Sequence, residues 1–181
     1  TPTNSQTNDK IGTWSFWTKK TEVIDDNEVV LFSSRNAQGS IDHITIGFHY
    51  DDYENNLIFL MYESSQLVSQ MIPKNQFRDP SAWYHVVIAV DTTQSTASDR
   101  VNIYINGDQV TEWEEENYPA QNKRLKRWAS QESPINIGRT GRTSNHSYYD
   151  GYLSEVHYID GQQKQASDFG ETGTYGEWKP I

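Results

Sequence analysis

Carboxylates are the most numerous reactive groups in this chain, and three sets stand close enough in sequence to act together. They are Asp25, Asp26 and Glu28; Asp51, Asp52 and Glu54; and Glu112, Glu114, Glu115 and Glu116. Asp150, beside Gly151, is a further acidic position. Two chemistries fit such groups. A pair of carboxyl groups ~5–5.5 Å apart can cleave a glycosidic bond with retention, and hard oxygen ligands in loops can hold calcium. None of the sets has the spacing of an EF-hand loop, and acidic loops are commonly just solvated. Calcium at Asp25, Asp26, Glu28 and Asp150 is the one cofactor the residues admit, and Asp150-Gly151 also reads as a turn leading into a strand. Nucleophilic catalysis has fewer means. The five His are scattered, there is no Cys, and no Gly-x-Ser-x-Gly elbow occurs. Asp168-Phe169-Gly170 lacks the companion loops of a phosphotransferase, and Gly138-Arg139-Thr140-Gly141-Arg142 lacks the Lys-Ser/Thr of a phosphate loop. These observations point away from an enzyme.

Aromatic residues carry a different chemistry, because a flat ring stacks on the apolar face of a sugar while Asn, Asp and Arg read its hydroxyls. Arg142, Asn145, His146, Tyr148 and Tyr149 share one polar stretch, and Trp113, Tyr118 and Trp128 lie in or beside another. These eight are the candidate ligand contacts; local packing is the competing reading, and both stand on sequence alone. The basic run Lys123-Arg124-Leu125-Lys126-Arg127 could hold an acidic polysaccharide, but pairing with the preceding Glu cluster across the same loop is the favoured expectation. Asn145-His146-Ser147 is formally a glycosylation sequon.

The elements that must position these residues are short. Segments rich in β-branched and aromatic residues alternate with Gly, Asn, Asp, Ser and Pro, and no stretch holds a long helical period. The pattern predicts an all-β chain with strands near 12–17, 28–33, 43–48, 56–62, 67–71, 83–91, 100–105, 109–113, 134–138 and 149–159. Alternating apolar residues around Asn106-Gly107 predict a tight hairpin. Both faces of Trp83 to Val90 are largely apolar, as in a central strand or one covered on its outer face too. One helical turn is expected at Gln165 to Phe169, and loops at 25–28, 50–56, 112–133 and 139–150. With 181 residues, one domain spanning 1–181 is expected, with a polar segment over 1–10 and a C-terminal extension over 171–181 packing on the rest. Fifteen basic against twenty-five acidic residues give a net charge of −10, which disfavours nucleic acid as a partner. No apolar run approaches the ~18 residues of a membrane span. The absence of an initiator Met suggests a processed chain or a domain of a larger polypeptide or oligomer.

The order of these pieces resembles the laminin-G-like jelly rolls of the concanavalin A-like lectin/glucanase superfamily. The resemblance rests on Thr13-Trp14-Ser15-Phe16-Trp17, Leu31-Phe32-Ser33-Ser34, Trp83-Tyr84-His85-Val86 leading to Asp91, Val101 to Gly107, Ile135-Asn136-Ile137-Gly138 and Asp150 to Val156. It implies a two-sheet antiparallel β-sandwich, with Trp14, Phe16, Trp83 and Trp178 at core positions whose loss should unfold the domain. Jelly-roll glycosidases place their carboxylates on one strand as Glu-x-Asp-x-x-Glu, a motif absent here. A narrower set, from Phe77 to His85, Asp91 to Gln94 and Tyr158 to Pro180, is similar to modules of marine phage structural proteins, including tail-fibre and capsid-associated ones. That similarity implies a virion surface or an extracellular setting. It leaves open a non-catalytic, lectin-like module binding surface glycans through loops at one edge of the sandwich, the leading expectation, or a decoration protein contacting other virion subunits; a divergent glycoside hydrolase is the least favoured third.

Overall fold

The computed structural model describes residues 8–21, 29–34, 42–50, 52–125, 135–140 and 148–181. Thirteen strands are found among them. Five form one antiparallel sheet in the order β11 (Gly151–Asp160), β1 (Ile11–Lys20), β6 (Tyr84–Asp91), β7 (Val101–Ile105) and β8 (Asp108–Gln109). Six form a second, in the order β10 (Asn136–Ile137), β2 (Val29–Ser33), β3 (His43–Tyr50), β4 (Tyr53–Glu63), β5 (Gln66–Pro73) and β9 (Trp113–Asn117). The last two, β12 (Gly170–Thr172) and β13 (Trp178–Pro180), pair only with each other. The fold is an all-β, two-sheet antiparallel sandwich, as the sequence pattern and the resemblance both imply.

Strand parity builds the core. Trp14 and Phe16 on β1 lie opposite Ile88 and Val86 on β6, and all four are buried with Phe32, Phe48, Phe59, Ile103 and their neighbours from both sheets. Burial of these side chains is worth roughly 1.5–3 kcal/mol each, which makes this cluster the main source of stability. On β4 the alternate residues Ile58 and Leu60, with Ile72 on β5, form a smaller buried cluster flanked by Tyr53, Tyr62 and Leu67. The outer face of the six-stranded sheet is therefore closed in its middle.

The outer face of the five-stranded sheet is covered differently. The segment after β11 turns back across it, held where the Thr13 hydroxyl donates to the Gln162 carbonyl (2.7 Å) and accepts from the Lys164 amide (2.9 Å). A single 3-10 turn, Ala166–Asp168, follows and is closed by a reciprocal capping box between Gln165 and Asp168. The expected helical turn is thus present. Val87 and Ala89, on the outward parity of β6, are fully buried.

Four expectations are corrected. Residues 53–56 are not loop but the start of β4, because β3 and β4 stay paired up to Tyr50 and Tyr53. Trp113–Asn117 is likewise not loop: it is edge strand β9, pairing with β5 from Gln70↔Asn117 to Pro73↔Trp113. Charged residues suit an edge strand, whose outer side faces water. The second arm of the Asn106-Gly107 hairpin is only two residues long, because the chain leaves β8 to cross to the other sheet. Finally, Lys123 and Arg124 do not pair with the Glu cluster; Lys123 bonds Glu63 and Arg124 bonds Asp9 (3.1 Å). The Glu cluster has its own partners, Tyr53 for Glu115, Tyr118 for Glu116 and Lys74 for Glu112.

An aromatic groove as the candidate functional site

Parity along β1 and β6 sends a second set of aromatic residues outward. Since Trp14 and Phe16 face the core, Trp17 faces out, and since Tyr84, Val86 and Ile88 pack inward, Trp83 and His85 face out. Trp178 arrives over the same surface from β13. Trp17, Trp83 and Trp178, with Ser154, Glu155, Lys179 and Pro180, line an open cleft of about 330 Å³. A neighbouring cleft of about 210 Å³ shares Trp17, Glu155 and Pro180 and continues past His157 and Phe169 to Asp168. Together they form one groove between the edge strand β11 and the β12–β13 hairpin. Trp83 is 42% exposed and sits 6.4 Å, ring to ring, from Tyr152, which is 58% exposed. The expectation that Trp83 is a core residue is therefore corrected: it lies just ahead of β6, on the outward parity, and lines the cleft instead of the core.

His85 anchors the groove floor. Its ring is stacked against Trp17 at 5.0 Å and 24°, and against Trp178 at 6.0 Å and 23°. The indole Nε1–H of Trp178 donates to His85 Nδ1 (2.9 Å), and His85 Nε2 lies 2.9 Å from Ser15 Oγ. An indole nitrogen can only donate, so Nδ1 must carry the lone pair and Nε2 the proton. The imidazole is thus neutral and donates to Ser15. Burial, and secondarily the nearby His157, pull its pKa down to about 4, which agrees with that tautomer.

Glu155 reaches both parts of the groove by way of a β-bulge. Between Ser15↔His157 and Trp17↔Ser154, β11 carries one residue more than β1, and Glu155 takes up the irregularity with φ of +47°. Left-handed backbone at a non-Gly residue costs roughly 1 kcal/mol or more and clusters at sites that use it. Here it lifts a carboxylate to the rim beside His157, whose Nε2 is 3.4 Å from Glu155 Oε2. The groove thus offers flat rings, the carboxylates of Glu155 and Asp168, the imidazoles of His85 and His157, and the Lys179 ammonium, which is paired to Glu171 (2.8 Å).

The family model Laminin_G_3, described as the concanavalin A-like lectin/glucanases superfamily, matches residues 1–167. The chain belongs to the Laminin_G_3 family. No curated protein matches it. Among solved structures, the domain is similar to the CBM40 of a Ruminococcus gnavus IT-sialidase bound to α2,3-sialyllactose, at 14% identity and TM-score 0.61, covering 89% of this chain and 81% of that one. It is also similar to domain 4 of AbnA, a GH43 extracellular arabinanase from Geobacillus stearothermophilus, in complex with arabinotriose (14%, 0.52), and to a putative carbohydrate binding protein from Bacteroides ovatus (13%, 0.57). It covers 90% and 99% of itself in these two alignments but spans only 65% and 47% of those chains. At these identities the likeness concerns the fold.

Within this Laminin_G_3 domain four of the eight residues expected at a ligand site are described, Trp113, Tyr118, Tyr148 and Tyr149, and these four do not gather at one place. Trp113 on β9 and Tyr148 beside β10 lie at opposite edges of the six-stranded sheet, about 24 Å apart at ~4.8 Å per strand. Trp113 and Tyr118 pack against the core. Tyr149 also packs against it, and its hydroxyl bonds the Lys19 carbonyl (2.9 Å) and the Thr18 hydroxyl (2.7 Å). Tyr148 is 58% exposed. Trp128, Arg142, Asn145 and His146 lie outside the described residues, as do the calcium candidates Asp25, Asp26 and Glu28. Asp150 is exposed, and its carbonyl accepts from the Thr21 amide (3.4 Å) and hydroxyl (3.2 Å), which is the strand-entry turn the Asp-Gly pair suggests. Among the described residues no three His, Asp or Glu side chains gather as a metal site. The groove residues Trp17, His85 and Glu155 are not among the eight the sequence singles out, although parity along β1 and β6 sends the first two to the outer face of the sheet.

Proposed function

We propose that this domain is a non-catalytic glycan-binding module that grips a saccharide in the aromatic groove. The observation that carries the reading is the convergence of Trp17, Trp83 and Trp178 on one open cleft with Glu155 at its rim. Indole faces suit the C–H face of a pyranose, and a carboxylate accepts from two vicinal hydroxyls. The carbohydrate ligands named for the R. gnavus and G. stearothermophilus neighbours support the same class of ligand. Binding without turnover fits the commitment of Glu115 and Glu116 to tyrosine hydroxyls and the lack of the jelly-roll glycosidase motif. The similarity to marine phage modules supports a virion as the surface that displays the domain.

One observation favours a second reading. Ile137 and Tyr148, 57% and 58% exposed, stand close together at the β10 edge, a small apolar face of the kind that contacts another protein subunit. A glycan array probed with the multimerised domain separates the two, run with calcium and with EDTA. Binding that disappears in Trp83→Ala but persists in Tyr148→Ala supports the groove. Silence of the folded domain across the array, with a virion subunit captured through Ile137 and Tyr148, supports decoration instead.

A further inference from the structure

A second cleft, larger than either part of the groove, opens at one end of the sandwich. It measures about 570 Å³ and lies where residues 110–112 cross from the five-stranded to the six-stranded sheet, opposite the stretch that follows β5. The two walls are tied by the Lys74 amide, which donates to the Glu112 carbonyl (3.1 Å). The floor is apolar: Phe77 is buried and its ring meets that of Tyr84 at 4.7 Å and 57°. The rim is polar, and only part of it is engaged by the protein's own bonding: Lys74 pairs with Glu112 (4.0 Å) and the Gln109 amide donates to Asn102 (2.9 Å). Asn75, Gln76, Asp108 and Thr111 are all exposed around the opening, and their side chains make no hydrogen bond or ion pair with any described residue. Elsewhere on this surface polar side chains are engaged, as with Asp91 to Thr93 and Gln94, or Arg100 to three carbonyls.

We infer that this end cleft is a second saccharide site, selective for neutral sugars and independent of the aromatic groove. Four properties converge on that ligand. The volume lies within the range of small-ligand sites. Primary amides present a donor and an acceptor side by side, the arrangement that a pair of vicinal hydroxyls completes. The half-buried Tyr84 ring, backed by buried Phe77, gives the C–H face of the sugar an apolar surface. The charge is one cation, Lys74, against two anions, Asp108 and Glu112, so an acidic sugar meets a net negative rim.

The Asn106-Gly107 turn is the common wall of the two sites. Both residues have positive φ, +51° and +92°, as a two-residue hairpin requires. Asn106 lines the end cleft, and its side-chain oxygen accepts from the His85 amide (2.8 Å). Gly107 lies under the Trp178 ring, where an added Cβ would come within 2.6 Å of it.

The test is a titration of isotope-labelled domain with cellohexaose, maltohexaose and xylohexaose, with a hexamer of galacturonate as the acidic comparator. The signals followed are the side-chain amides of Asn75 and Gln76 and the backbone amide of Thr111. At least one neutral hexamer is expected to move these signals, more strongly than galacturonate does. The double variant Asn75→Ala/Gln76→Ala should weaken that binding by about ten- to thirtyfold, the loss of two hydrogen bonds. Trp83→Ala, which damages only the groove, should leave the end-cleft response in place. No movement of these three signals by any neutral hexamer, an equal response to galacturonate, or an unchanged response in the double variant overturns the inference. Failure of Trp83→Ala to affect array binding would count against the groove alone.

Discussion

Two tryptophans of one motif family have opposite roles in this domain. Trp14 is 4% exposed, with its ring 4.6 Å from Phe32, whereas Trp83 stands at the rim of the groove. Trp14→Ala should cost about 3–5 kcal/mol in a denaturant titration, because it leaves a large cavity in the core. Trp83→Ala should cost well under half of that and should abolish saccharide binding. Equal losses of stability would mean that Trp83 is a packing residue after all. The family pattern placed both in the core, since a Trp ahead of an apolar strand reads the same whichever face it takes; only parity from Tyr84 onward separates them. His85 makes a sharper case. With a folded pKa near 4 against an ordinary 6.5, its neutral form is the one the fold stabilises. That contribution is fully present above pH 6.5 and is lost as pH falls from 6.5 toward 4, where the unfolded chain binds a proton that the native state refuses. The loss should amount to about 3 kcal/mol, from 1.36 kcal/mol per unit. In His85→Gln, which can still accept from Trp178 and donate to Ser15, the difference in unfolding free energy from the parent should shrink by that amount across the window. A difference independent of pH would refute the depressed pKa of the buried ring.

At the scale of elements, the β12–β13 hairpin is what turns an exposed sheet face into a groove. Its hold on the sheet passes through Trp178, which bonds His85 and lies against Gly107 and Gly170. Gly107→Ala adds two penalties at once: a side chain at φ +92° and a Cβ within 2.6 Å of the indole. The variant should lose more than about 1 kcal/mol of stability and weaken groove binding several-fold, because Trp178 must move off His85. Near-ultraviolet circular dichroism would report the displaced indole, and an unchanged spectrum with unchanged binding would count against the clamp. Most of the sandwich was legible because its strands are rich in β-branched and aromatic residues and are separated by Gly, Asn, Asp, Ser and Pro, with Asn106-Gly107 marking one tight hairpin. The edge strand β9 was not, because Glu is depleted in strands and gains its place there only by facing water. Nor was the hairpin: Gly170–Thr172 and Trp178–Pro180 are three residues each and carry too little pattern to announce a strand. The groove depends on this hairpin and on a bulge at Glu155 that no local signal in β11 marks.

The whole molecule sets the sign of the ligand. A net charge of −10 surrounds both proposed sites. The two cations that line them are spent locally, Lys74 on Glu112 at the end cleft and Lys179 on Glu171 at the groove. A neutral oligosaccharide approaches this surface without electrostatic work, so its affinity should stay constant as salt is raised. An anionic one is repelled over the Debye length, which shrinks from about 30 Å at 0.01 M to about 10 Å at 0.1 M. Its binding should therefore be weaker throughout and should tighten as salt is added, the reverse of what a basic lectin surface shows. Calorimetry with matched neutral and uronic hexamers at the two ionic strengths reads this directly. Tightening of the acidic ligand with salt places it against the acidic field of the sandwich. Weakening with salt would instead bring in the basic run at Lys123–Arg127 as a contact and would shift the site from the groove to that part of the chain.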